Sequence, residues 1–267
     1  MALPRVTFRN LSPRALKYRR ANAFVVSIPK SGRTWLRFFL RHYLSSQAGL
    51  AFSIQPSAAE RQAVPSVQCA HDLWEHLTTP RHWDRLRGRY LIPAGIRRRV
   101  PVVLALRDLR DVMVSLHLQL TKRGFASGAR FDGSLKQLIR HPLFGAERAV
   151  EIQNHWLAEW RDRGRCHLWI YEECRKDPER VFREVLEFLD FGPVSEELLQ
   201  QSLEFASFDN MRAMERENRF DHVILRPGDA ADPESFKVRR GVVGGFRDYL
   251  DVDDAAFVAR AAARLRL

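Results

Sequence analysis

Three short stretches of this chain carry residues suited to gripping a phosphate-bearing molecule. The first is Pro29-Lys30-Ser31-Gly32-Arg33-Thr34-Trp35. Lys30 adds a mobile charge, Ser31 and Thr34 add hydroxyl donors, and Gly32 lets the backbone come close to a phosphate. Where such a turn opens a helix, the first free N–H groups and the helix dipole favour an anion at the same point. The second runs from Arg107 to Ser115, Arg-Asp-Leu-Arg-Asp-Val-Met-Val-Ser. Its arginine offers forked, charge-assisted hydrogen bonds and its serine a short donor. The third, Arg239-Arg240-Gly241-Val242-Val243-Gly244-Gly245-Phe246-Arg247, joins two cations to a glycine. Each has a plainer alternative. The first could be an ordinary turn with a solvated lysine, and Arg107 could pair with Asp108 or Asp111. The third says little by itself and gains its meaning from following the other two.

These stretches need elements to position them. Residues 23–28 read as a short buried strand, and Arg33 opens a helix whose apolar face is Leu36, Phe39, Leu40, Tyr43 and Leu44. The first turn therefore lies between a buried strand and a helix N-terminus. Val100–Leu106 is a second buried strand, followed by a turn at 107–110 and a helix from about Asp111 to Lys122. Val67–Ala70 reads as a short strand ending at His71-Asp72, and Cys166–Ile170 as another ending at Tyr171. Helices are expected over 145–163, from Asp177-Pro178 onward, and from Asp253-Asp254 to the end. Residues 46–66, 73–99, 124–144 and 218–236 read as the variable segments. Strand–turn–helix units in series predict an α/β fold with a central parallel sheet flanked by helices, built as one domain over residues 1–267.

Composition narrows the function. The 267 residues are 45% hydrophobic, enough for a sizeable core, and the net charge of +12 suits a polyanionic ligand. The basic residues are spread along the chain rather than gathered in a tail, so no nucleic-acid partner is expected. Three cysteines without CxxC spacing suit a reducing compartment and no metal, and the expected location is cytoplasmic. Residues 1–20 lack an apolar run, and no stretch suits a membrane span, so neither a secretory signal nor a membrane anchor is expected. A phosphate-gripping kinase or ATPase needs GxxxxGK[ST]. Here Lys30 precedes the glycine, and no glycine stands at the required spacing before it. Asp108, just past a strand, is the one residue that suits a metal-side carboxylate. That reading, and a non-catalytic basic binder of polyanions, are the alternatives.

The three stretches together resemble the PAPS-dependent sulfotransferases, in which PAPS is 3′-phosphoadenosine 5′-phosphosulfate. Residues 29–35 resemble the family's phosphosulfate loop PKSGTTW, with Arg33 in place of a threonine. Arg107 to Ser115 resembles RxxxDxxVS, the 3′-phosphate segment. Residues 239–247 resemble RKGxxGDWK, with Arg240 for lysine and Gly245-Phe246 for Asp-Trp. The resemblance implies a P-loop-like sulfotransferase fold, transfer of a sulfuryl group from PAPS to a hydroxyl or amine, release of PAP, and no metal. It implies that Lys30, Ser31, Gly32, Arg33, Thr34, Arg107, Ser115, Arg239, Arg240 and Gly241 hold the donor. Trp35, Tyr171, Ser207 and Phe208 would lie near the adenine, unless the three aromatics are core. Lys30, Ser115 and His71 are the catalytic candidates. Lys30 would serve the leaving oxygen, and neutral His71 would be the base, with His76 and His82 as rivals. The acceptor, a small molecule or glycan, is not readable. The family's C-terminal dimer pattern is not recognisable, so that dimer is not expected.

Overall fold

Runs of apolar residues without polar alternation bury both faces of a strand, and a parallel sheet is where such strands belong. The computed structural model describes residues 18–79, 81–124, 130–161, 164–220 and 222–267. The expectations that fall on residues 1–17, 80, 125–129, 162–163 and 221 lie outside these. Strand β1 (Ala23–Val26) pairs in parallel with β2 (Val67–Ala70) on one side and β3 (Val102–Leu106) on the other. β4 (Cys166–Ile170) pairs in parallel with β3, giving the order β2-β1-β3-β4. The expected α/β class and parallel sheet are present.

The alternation of strand side chains divides the core. Phe24, Val26, Val102, Leu104 and Leu106 face one layer. It is roofed by α6 (Leu109–Leu118), α8 (Ala146–Trp160) and α13 (Val252–Ala262). Ala23, Val25, Val103, Ala105 and Trp169 face the other. Here α1 (Arg33–Gln47), α10 (Pro178–Leu189) and α11 (Glu196–Phe205) pack. All five apolar positions expected on the first helix face are buried.

Several elements differ from the sequence expectation. β1 stops at Val26 rather than 28, because the chain leaves the ladder to enter a turn in which Lys30 has a positive φ of 74°. Helix α6 starts at Leu109, two residues early, because the Asp108 side chain caps it by accepting from the Arg110 N–H. It ends at Leu118 in a π-helical turn, Gln119–Arg123. Residues 73–99 are largely helical, in α3 (Asp72–Thr78), α4 (His82–Leu86) and α5 (Ala94–Arg97). Helices α11 and α12 (Phe208–Arg216) lie where the sequence reading places no element.

Asp72 anchors the segment after β2. It sits at φ 31° and is 1% exposed. Its carboxylate accepts from the Ile92 N–H at 2.7 Å and from Trp156 Nε1 at 3.3 Å, and burial raises its pKa. Asp72→Ala would strand these buried donors and is expected to cost about 3 kcal/mol. The check is a lower urea midpoint at unchanged m-value.

Candidate active site

In an open parallel sheet, ligands bind where the strand order reverses, beyond the carboxyl ends of the strands. Here that point lies between β1 and β3, whose chains leave in opposite directions to β2 and β4. The 29–35 turn follows β1, and Arg107 follows β3. A cavity of about 150 Å3 opens at this edge.

The turn is built to expose its amides. Lys30 and Gly32 both have positive φ, 74° and 86°. Gly32 caps α1 without any side-chain hydrogen bond, and no acidic residue stands in the first turn. An added Cβ at Gly32 would lie 2.7 Å from the Tyr171 ring and 2.9 Å from the Trp169 ring. Ser31 is fully buried, and its hydroxyl has no partner. Lys30 Nζ donates to Gln119 Oε1 at 3.3 Å. Burial, then the charges of Lys237, Arg123 and Arg107, hold the Lys30 ammonium well below the usual lysine range, with Glu215 opposing them. A bare helix start, an orphaned hydroxyl and a lysine starved of counter-charge all fit an anion.

Arg107 ties the two strand ends together. Its Nη1 donates to the Lys30 carbonyl at 3.2 Å, and its guanidinium lies 4.3 Å from the centre of the Tyr171 ring. Its Nε is buried without a partner. Its ion pair with Asp111 is long, at 3.8 Å. Asp111 spends its oxygens on the third stretch, accepting from the Gly244 and Phe246 N–H groups at 2.8 Å each. Asp108, the carboxylate suited to a metal, instead caps α6 and pairs with Arg110 at 2.6 Å.

The third stretch lines the cavity through Arg239, Arg240 and Gly241, but its cations are already engaged. Arg239 pairs with Glu234 at 3.1 Å and donates to the Tyr249 hydroxyl at 2.6 Å. Arg240 pairs with Asp248 at 2.6 Å. Gly241 has φ 64°, and a Cβ there would lie 2.6 Å from the Phe208 ring.

His71 lines the same cavity. Its Nδ1 lies 2.7 Å from the Ser27 carbonyl, so the neutral ring donates there and carries its lone pair on Nε2. His76 and His82 do not line the cavity. The neighbouring Asp72 points into the core instead. Trp35 meets Trp169, Tyr171 and Phe182 edge to face, with Arg175 5.8 Å above its ring and equally far from Phe208.

The cavity gathers Lys30, Gly32, Arg33, Thr34, Trp35, His71, Arg107, Ser115, Tyr171, Phe208, Arg239, Arg240 and Gly241. Ser31 lies buried within the turn. Ser207 caps α12, its hydroxyl accepting from the Asn210 N–H at 3.3 Å. Sequence reasoning missed Gln119, Arg123, Arg175, Glu215 and Lys237. Glu215, fully buried, accepts from the Lys237 and Val238 N–H groups at 2.6 and 2.7 Å and pairs with Arg123 at 3.4 Å. Arg123 also donates to the Ser235 carbonyl at 2.7 Å, and Lys122 pairs with Asp232. The segment read as a variable loop is thereby tied down to the π-helical turn. Among the described residues, no helix is long and apolar enough to cross a membrane, and no cluster of His, Cys, Asp or Glu is placed to hold a metal.

Anion grips after the two neighbouring parallel strands β1 and β3, with a histidine after β2 on the other side of β1, suit a nucleotide-binding group-transfer protein. The family model for the sulfotransferase domain matches residues 20–264. The chain belongs to the sulfotransferase family. It is 23% identical over 254 residues to cytosolic sulfotransferase 13 of Arabidopsis thaliana, covering 90% of this chain and 75% of that protein. It is 25% identical over 238 residues to the 3-beta-hydroxysteroid sulfotransferase of Cavia porcellus, covering 88% and 79%. The fold matches a mouse sulfotransferase complexed with PAP, with a TM-score of 0.60, 17% identity, and 92% and 85% of the two chains covered. It also matches retinol dehydratase in complex with androsterone and inactive cofactor PAP, with a TM-score of 0.62, 17% identity, and 90% and 79% covered.

Gly32→Ala combines a left-handed φ with a collision against two aromatic rings. It is expected to lower stability by about 2 kcal/mol or more. Because the rings of Trp169 and Tyr171 must give way, near-ultraviolet circular dichroism should change with it.

Proposed function

We propose that this chain, as one sulfotransferase domain, moves a sulfuryl group from PAPS to the hydroxyl of a small-molecule or glycan acceptor and releases PAP. The supporting observation is the pair of cationic grips at the ends of β1 and β3, which suits a donor anionic at both its 5′ and 3′ sides. Lys30, the turn amides and Thr34 hold the phosphosulfate. Arg107, Ser115 and the 239–241 stretch hold the 3′-phosphate. Trp35, Tyr171 and Phe208 flank the purine, and Arg175 closes over it. His71 Nε2 takes the acceptor's proton as its oxygen bonds to sulfur. The bond from sulfur to the bridging oxygen breaks, and Lys30 donates to that oxygen as charge develops. Gln119 orients Lys30 for this task. The cytoplasm suits the chain's three free cysteines.

Transfer of labelled sulfate from PAPS to an acceptor panel tests this reading. Lys30→Ala is expected to lower kcat by about 10²–10³-fold. His71→Ala is expected to lower it by about 10²–10⁴-fold while PAP still binds. A wild-type protein that PAP does not stabilise in a thermal shift would remove the donor assignment.

Affinity should also depend on pH. Burial, then the charges of Arg123 and Arg33, lower the Lys237 pKa to about 8, with Glu215 opposing. Lys237 therefore loses its charge as pH rises through about 8. PAP affinity is expected to fall between pH 7 and 9, with proton uptake on binding seen as a buffer-dependent heat. Lys237→Met should flatten this part of the profile.

A further inference from the structure

Helix α1 carries arginines at 33, 37 and 41. Spaced by four, they share one face, with about 6 Å of helix rise between neighbours. Like charges so placed weaken a helix, and Arg33 stands at its N-terminus, where the dipole disfavours a cation. All three are half-buried. Among the described residues, none of their guanidinium groups donates a hydrogen bond or forms an ion pair. Burial lowers the pKa of Arg33 and brings that of Arg41 to about 10. The nearby acids are few. Glu75 acts on Arg33, and Glu60, beside Arg41, is itself held by the Ser57 N–H.

The row begins at the active site. Arg33 lines the catalytic cavity. Arg37 and Arg41 line a second cavity of about 350 Å3, with Arg61, Gln68 and Cys69 also in its wall. One turn of α1 separates Arg33 from Arg37, and two residues along β2 separate Cys69 from His71. Lys237 lies close enough to feel the charges of both Arg33 and Arg37. The nucleotide's two grips lie at the ends of β1 and β3, so the charges at 37 and 41 are left over.

Resting on the donor reading above, we propose that this row binds the acceptor and that the acceptor is an elongated anion. Its hydroxyl reaches His71 while its carboxylate, sulfate or phosphate groups lie along Arg37 and Arg41. The row from Arg33 to Arg41 spans about 12 Å, which sets the reach of the acceptor's charge from the reacting end. An acidic oligosaccharide and a carboxylated phenol share this chemistry.

The test uses the full chain saturated with PAP, so that the donor site is filled. Calorimetry compares a hyaluronan tetrasaccharide with its methyl ester, and 3-(4-hydroxyphenyl)propionate with its amide. The charged member of at least one pair should bind about tenfold tighter, as expected of charge-assisted hydrogen bonds. Which pair shows this identifies the source. The Arg37→Gln/Arg41→Gln double variant should lose the preference and keep its PAP affinity. Arg41→Gln alone, at the far end of the row, should lose part of it and serves if the double variant folds poorly. Equal binding of charged and neutral members, or a preference that survives in these variants, overturns the proposal and leaves the donor reading standing. A wild-type protein that does not bind PAP overturns both.

Discussion

Five cations crowd one edge of this sheet: Lys30, Arg33, Arg107, Arg123 and Lys237. Their mutual repulsion is the constraint that the architecture must meet. It does so by burying oxygen acceptors around the crowd. Glu215 lies fully buried beneath Arg123 and the 237–238 backbone. Asp111 sits under Arg107. The Lys30 and Ser235 carbonyls accept from Arg107 and Arg123. Burial, and then the neighbouring cations, keep the pKa values of Lys30 and Lys237 depressed despite these acceptors. The free protein thus holds charge that an anionic ligand relieves. Binding strength and reactivity draw on the same stored repulsion.

The elements that present this charge depend on one another through contacts far apart in sequence. The π-helical turn places Gln119 against Lys30 and Arg123 against Glu215. Glu215 in turn fixes the start of the third stretch, and Asp111 fixes its end. The third stretch is therefore held by the helix that follows β3. A shift at either end would be felt at both grips.

Much of this was legible from local pattern. β2 and β4 fall where the apolar runs place them, and the Asp177-Pro178 helix start is present, with Asp177 as its cap. The three stretches converge because each follows a strand or docks beside one. What the sequence hid were roles set by distant partners. Gln119 meets Lys30 across 89 residues, and no local spacing announces it. Nothing local to Lys237 distinguishes it from other basic residues; its setting comes from Glu215, 22 positions away, which holds its backbone. The sequence shows the two arginines of the third stretch as cations beside a glycine. Only the fold shows them paired with Glu234 and Asp248. Segment 73–99 looked like loop because its helices are short and broken, and tertiary contacts such as the Asp72 bonds stabilise them where propensity does not.

The space where a Cβ would sit at Gly32 is filled by the rings of Trp169 and Tyr171. The turn that follows the first strand is thus wedged against the end of the last. A local fluctuation that loosens one must displace the other. On the timescale of amide hydrogen exchange, the turn and the start of the helix Tyr171–Lys176 that follows β4 are expected to open as one cooperative unit rather than as two loops that breathe separately. The rigidity of the anion grip is borrowed from aromatic packing in the sheet's second layer, far from it along the chain.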